Sequence, residues 1–133
     1  MIIGTGSDLL DMRRLEKIFG RFEARFVARC FTPEERTKAQ TRRGGGTYIA
    51  TYAKRFAAKE ACAKALGTGF SQGVYMRDIG VINDEAGKPS LVLTGGALRR
   101  LQALTPEGKT PRLHLTLSDE PPMAKADVVI EAV

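Results

Sequence analysis

In the stretch RFAAKEACAKAL, residues 55–66, Glu60 stands where a helix would carry an apolar side chain. At about 100° per residue, Ile49, Tyr52, Ala53, Phe56 and Ala63 share one stripe, with Glu60 in its middle and Lys59 and Lys64 on either flank. A carboxylate buried without compensation costs on the order of 5 kcal/mol, so Glu60 needs a partner other than water. Two kinds are open. One is an ion pair with Lys59, Lys64 or Arg55, or a hydrogen bond to a loop. The other is a metal: a hard divalent cation such as Mg²⁺ takes oxygen ligands, typically one or two carboxylates completed by waters and substrate phosphates. Asp8, after the glycine-broken run MIIGTGS, is the best second carboxylate; it would serve equally well as the N-cap of the helix that follows.

The cations sort into two groups. Arg55, Lys59 and Lys64 lie along one helix with the glutamate, and Arg42 and Arg43 lie in the glycine loop before it. Each alone reads as a solvated cation, but together they suit a ligand bearing several phosphates. Earlier in the chain Arg14, Lys17, Arg21 and Arg25 fall within a sector of about 90° on a helical wheel, with Arg13 and Arg29 beside it. So one-signed a face repels itself unless it docks something acidic. Phe22 and Phe26 are either core residues or the apolar centre of that dock.

These residues need positions, and the local signals supply them. Residues 1–7 suit a strand ending in a tight turn, with Asp8 at its end. Leu10, Leu15, Ile18, Phe19, Phe22 and Phe26 recur at helical spacing, with Gly20 a candidate break. Thr32-Pro33-Glu34-Glu35 carries a capping residue, a proline at the first helical position and a glutamate three residues after the cap. The longest helix is expected over about 47–66, closed by Gly67. Residues 77–83 and 89–94 read as strands joined through Glu85-Ala86-Gly87, and 95–104 as a helix. In RLHLTLS the leucines alternate with His114, Thr116 and Ser118, a half-buried strand, and ADVVIEAV pairs back as the last one. The class is α+β, a largely antiparallel sheet packed against helices, in one domain over 1–133.

Composition agrees with a single core: 133 residues with 43% apolar content. Lys and Arg number 21 against 15 Asp and Glu, so the net charge of +6 points to an anionic partner or substrate. No apolar run approaches the roughly 20 residues of a membrane span, and MIIGTGSDLL lacks the basic start and apolar stretch of a signal peptide. A cytoplasmic protein without membrane contact is expected. Cys30 and Cys62 are too far apart for a zinc or redox pair and read as buried small side chains.

Several segments in register resemble one family. GTGSDLLDMRRLE (4–16), FTPEE (31–35), RFAAKEACAKALGTG (55–69), NDEAGKP (83–89), HLTLSDE (114–120) and the closing VVIEAV are similar to the bacterial holo-acyl-carrier-protein synthases, small 4′-phosphopantetheinyl transferases. The resemblance implies transfer of 4′-phosphopantetheine from coenzyme A to a serine of apo acyl carrier protein, releasing adenosine 3′,5′-bisphosphate, in support of fatty acid biosynthesis. It implies Mg²⁺ held by Asp8 and Glu60, with Lys64 as a further catalytic residue. It places Arg55, Lys59, Lys64 and Gly67 along the coenzyme A site, and Arg13, Arg14, Arg21 and Arg25 against the acidic carrier. It also implies a homotrimer with active sites between subunits. His114 either contacts ligand phosphate or ribose or serves as a structural hydrogen-bonder. One position departs: many members have histidine after the serine of the penultimate strand, where Asp119 stands here, so a histidine base at that position does not apply.

The rival reading of a basic chain is a small nucleic-acid-binding module. Against it stand an aromatic content of 7% with no stacking pattern on a strand, and a glutamate on an apolar stripe that no such module requires.

Overall fold

A computed structural model describes residues 1–133. The order is β1 (Ile2–Asp11), α1 (Met12–Cys30), α2 (Pro33–Gln40), α3 (Tyr48–Leu66), β2 (Ile79–Asn83), β3 (Pro89–Leu93), α4 (Gly95–Leu104), β4 (Pro111–Glu120) and β5 (Met123–Ala132). The outer strands β1 and β4 both pair antiparallel with β5, and β2 and β3 form a separate hairpin. This is the α+β class read from the sequence.

The three-stranded sheet has one buried and one open face, as strict alternation demands. On β5, Ala124, Ala126, Val128, Ile130 and Ala132 are buried, while Lys125 is exposed and Asp127, Val129 and Glu131 are half-buried. The inner face is mostly small residues because α3 lies directly on it. Gly4 and Gly6 make the close approach possible: a Cβ on Gly4 would stand 2.2 Å from the Ala65 carbonyl oxygen, and one on Gly6 2.1 Å from that of Ala61. The glycines are therefore packing residues rather than the tight turn expected at residue 7, and β1 continues through Asp8 to Asp11.

The longer strand also moves the helix cap. Asp11 caps α1, its side chain accepting from the Arg13 backbone N–H, and three hydrogen bonds from the Arg13 side chain help hold its pKa at about 2. Asp8, read as either cap or metal ligand, is not the cap. The break in α1 falls at Phe22, whose φ of −136° and ψ of 24° leave the helical region, and not at Gly20. Rings from α1, the α1–α2 corner and α3 (Phe19, Phe26, Phe31, Tyr48, Tyr52 and Phe56) pack edge to face or stacked and join the helices. Phe26 thus belongs to the core, whereas Phe22 is 51% exposed.

The capping box at Thr32 and Glu35 forms as the spacing requires, and Gly67 ends α3 at a φ of 79°. The first hairpin strand starts at Ile79, after a single 3₁₀ turn at Met76–Asp78, not at 77. Cys30 and Cys62 are free and buried, and burial pushes the Cys62 thiol up to about 12. No helix is long and apolar enough to cross a membrane.

Two glycine substitutions separate packing from propensity. Gly6→Ala should lower the unfolding free energy by about 3 kcal/mol, because the methyl must displace helix backbone. Gly20→Ala, which meets nothing within 4 Å, should raise it by up to about 1 kcal/mol. Urea titration of both variants checks the contrast.

Candidate active site

Asp8 pairs with Ala126 and so points to the inner face of the sheet, toward the last turns of α3. Since Gly6 packs at Ala61 and Ala65, Asp8 is brought beside Glu60 and Lys64. The Lys64 Nζ lies 3.2 Å from Asp8 Oδ1 and donates a hydrogen bond of 3.0 Å to the Ser7 carbonyl oxygen. Glu60 is half-buried and has no hydrogen-bond or ion-pair partner in the chain. Burial raises its pKa, and the neighbouring Asp8 charge raises it further, while Lys64 and Arg14 pull it down. The ion-pair reading of Glu60 is thus not what the structure shows: Lys64 bonds Asp8, and Lys59 is elsewhere.

The donor set fits a hard divalent cation. No third His, Cys, Asp or Glu joins the two carboxylates, so the protein supplies at most two oxygen ligands and leaves the rest to water and phosphate. That pattern suits Mg²⁺ better than a closed zinc or calcium site. A cation would offset both the burial and the Asp8 repulsion that raise the Glu60 pKa.

Two residues expected along the ligand site turn inward. Lys59 is fully buried: its ammonium pairs with Glu35 Oε1 at 2.8 Å, donates to the Met76 and Ile79 carbonyls, and sits 5.5 Å from the Phe31 ring centre. It has no surface to offer a phosphate, because residue 59 faces α2 and β2 rather than solvent. Arg55 is 3% exposed, donating to Asn83 Oδ1 at 2.7 Å, yet its Nε is buried without a partner. It lines a cavity of about 230 Å³ with Lys38, Asn83, Glu34 and Glu35, the last already paired with Lys59. Burial lowers the Lys38 pKa, and Arg42 and Arg55 lower it further, so three cations crowd this place. Sequence reading missed Lys38, although its spacing of one helical turn from Arg42 put both on one side. The helical wheel failed because α3 is surrounded: Thr51, Ala57, Ala58, Ala61 and Cys62, off the expected stripe, are buried as deeply as Tyr52 or Ala63 on it.

His114 is not with Asp8 and Glu60. It stands on the open face of the sheet, its Nε2 2.9 Å from Glu131 Oε1, with the whole sheet between it and α3. Within one chain it is a hydrogen-bonder, the second of its two readings. Gly67 caps α3 through its N–H to the Lys64 carbonyl, and Asp119 lies 3.7 Å from Lys54. On α1, Arg13 is paired with Asp11 at 2.6 Å, Arg21 lies 5.7 Å from the Phe22 ring centre, and Arg14, Arg21 and Arg25 are exposed. Arg14 is close enough for its charge to act on Glu60, so the basic face of α1 begins at the carboxylate pair.

Residues 4–118 match the family model of the 4′-phosphopantetheinyl transferase superfamily. A holo-[acyl-carrier-protein] synthase of Beijerinckia indica is 61% identical over 133 residues, covering 100% of this chain and 93% of the relative. Among solved structures, the holo-[acyl-carrier-protein] synthase of Neisseria meningitidis superposes with a TM-score of 0.84 at 37% identity, covering 98% of this chain and 99% of that one. The Bacillus anthracis holo-(acyl-carrier-protein) synthase in complex with CoA (3′,5′-ADP) gives 0.78 at 36% identity, covering 100% and 99%. None of these relatives supports the nucleic-acid reading.

Two stability measurements test the electrostatics. The Glu60 pKa lies above its unfolded value, so the residue favours the fold while protonated, and that contribution is lost as pH rises through the folded pKa. Glu60→Gln should therefore melt higher than the wild type at pH 7 in metal-free buffer, with the gain shrinking as pH falls through the raised folded pKa toward the usual carboxylate value and gone below it. Glu35→Gln leaves the buried Lys59 ammonium without its counter-charge and should cost about 3 kcal/mol in urea titration.

Proposed function

The chain belongs to the 4′-phosphopantetheinyl transferase superfamily, and we propose that it transfers 4′-phosphopantetheine from coenzyme A to a serine of apo acyl carrier protein, releasing adenosine 3′,5′-bisphosphate. The single observation that carries this reading is the half-buried Asp8–Glu60 pair beside Lys64, at the start of an exposed basic helix. Transfer of a phosphoryl-type group needs positioning and charge stabilisation more than a covalent nucleophile, and these residues supply both.

Asp8 and Glu60 would hold Mg²⁺, which when bound neutralises pyrophosphate charge and makes the bisphosphate a better leaving group. Lys64, 53% exposed at its side chain, can turn from Asp8 to a phosphate oxygen. Arg14, Arg21 and Arg25 offer an acidic carrier a one-signed face, with exposed Phe22 as an apolar contact between them. Docking there would bring the carrier serine to the Arg14 end, next to the carboxylates.

The cavity of Lys38, Arg55 and Asn83, whose Glu35 is neutralised by Lys59 and whose Glu34 is exposed, is the second place suited to the phosphates of coenzyme A, through the unpartnered Arg55 Nε. Residues 55 and 60 are about 140° apart around α3, so the cavity and the carboxylate pair face different ways in one chain. One coenzyme A spanning both would lie between neighbouring copies. That supports a homotrimer with interfacial sites, in which the open sheet face, with Leu9 at 63% exposure, is covered and His114 reaches a neighbour's ligand. The reaction would run in the cytoplasm, in support of fatty acid biosynthesis, where two free thiols stay reduced.

Incubation with coenzyme A, Mg²⁺ and apo carrier protein should add one phosphopantetheine to the carrier, read by mass; no gain with any carrier refutes the transferase reading. Asp8→Asn should lower turnover by about 10³-fold or more while the fold is kept. Mixing inactive Asp8→Asn with an inactive Lys38→Ala/Arg42→Ala chain should restore activity that neither has alone. Failure of this complementation, with subunit exchange verified, would count against interfacial sites.

A further inference from the structure

Lys64 reaches Asp8 across 56 residues of sequence and anchors to the main chain of the same strand, through the Ser7 carbonyl. Its side chain is 53% exposed, while that of Asp8 is 17% exposed. The partner that moves with little cost is thus the lysine, and the one held still is the aspartate. Glu60, one turn earlier on α3, contributes a second negative charge with no partner of its own.

Resting on the metal reading above, we propose that Lys64 is the built-in counterion of the carboxylate pair and competes with the divalent cation for Asp8. The pair carries two formal negative charges, and the ammonium cancels one of them. A divalent cation arriving at Asp8 meets a positive charge already bonded to Oδ1, and binding requires that this contact be given up. Phosphates offer the displaced ammonium another anion to bind. Nucleotide and cation therefore favour one another through Lys64, in addition to any direct contact between them. The device keeps the pair short of full charge until both ligands are present. It makes Lys64 a positioning residue toward the metal as well as a phosphate contact.

The competing view, that Lys64 only stiffens the site, predicts the opposite sign. A stiffening residue, once removed, weakens cation binding; a competing one strengthens it. The attraction between the ammonium and Asp8 acts at 3.2 Å, and exposure of the lysine screens much of it. A tenfold change is the expected scale.

The test is titration of the full chain with Mn²⁺ alone, followed by calorimetry and by the loss of the free-ion electron paramagnetic resonance signal. Wild type, Lys64→Met, Lys64→Arg and Asp8→Asn are compared, with thermal melting to confirm folding. Lys64→Met should bind Mn²⁺ about tenfold more tightly than wild type, and Lys64→Arg should stay within about threefold of it. Adding coenzyme A should tighten Mn²⁺ binding more in wild type than in Lys64→Met. Equal or weaker binding by Lys64→Met, with binding lost in Asp8→Asn, overturns the competition and leaves the metal site standing. Unchanged binding in Asp8→Asn overturns the metal site itself, and the competition with it.

Discussion

The structure depends on how closely α3 can lie on β1. Gly4 and Gly6 leave no side chain between strand and helix, and the carbonyls of Ala61 and Ala65 occupy the space where Cβ atoms would be. A helix held this near to a sheet must itself be small on that side, which is why alanine recurs through residues 53–65. The same contact decides the register between the two elements. With Gly6 against Ala61, the next inward residue of the strand, Asp8, meets the side chains one position before and three after it, Glu60 and Lys64. Dispersion between close-packed atoms and loss of apolar surface to water both favour the contact. The carboxylate pair is held there against its own repulsion.

The opposite flank of α3 is fastened differently. Glu35 accepts from the Thr32 N–H with one oxygen and from the Val81 N–H with the other, while pairing with Lys59. One carboxylate thus ties the start of α2, the middle of β2 and the centre of α3. Buried ion pairs seldom add much net stability, because desolvation offsets attraction, but breaking one leaves an uncompensated charge. What this pair supplies is placement. With α2 and β2 both bonded to Glu35, the side chains of Lys38 and Asn83 fall around Arg55, and the cavity they line with Glu34 and Glu35 has its shape. Burial pushes the Lys59 pKa down, with Glu35 opposing, so the lysine is a structural tie between elements rather than a group for solution chemistry.

Local signals were legible in the sequence because they act over a few residues. The Thr32–Glu35 box, the Gly67 cap, the α4 span and the alternation of β4 all came from short-range hydrogen bonding or pleat geometry. Glu60 was singled out correctly as a misfit, but through a wheel that assumes one buried face. On a helix covered on nearly all sides the wheel cannot tell Glu60 from Lys59. Lys59 is the more deeply buried charge, and its partner Glu35 is 24 residues away by number. Asp8 and Asp11 are three residues apart, both acidic and both near a helix start. Only the strand's continuation through the glycines decides which one caps and which one is free. His114 was placed rightly on the outward face of its strand, and the sheet order then separates it from Asp8. Family resemblance proposed the Asp8–Glu60 pair; the depth of each cation came from the packing alone.

A basic chain that also half-buries two adjoining carboxylates spends stability on a site. Burial and the neighbouring Asp8 charge raise the Glu60 pKa, and the unpartnered Arg55 Nε is a donor with no acceptor in the chain. The unpaired Glu60 carboxylate and the unpaired Arg55 Nε face different sides of one helix. On the proposed function, a ligand carrying phosphates along its length, together with a divalent cation, would satisfy both at once, where a simple anion would satisfy only the second. The +6 net charge alone cannot make that distinction, since nucleic acid would answer it equally well. A half-buried carboxylate pair within a basic protein is a feature that net charge does not carry, and the proposed function rests on it. The α3 helix carries both signs because it packs against the three-stranded sheet on one flank and against β2 of the hairpin on another.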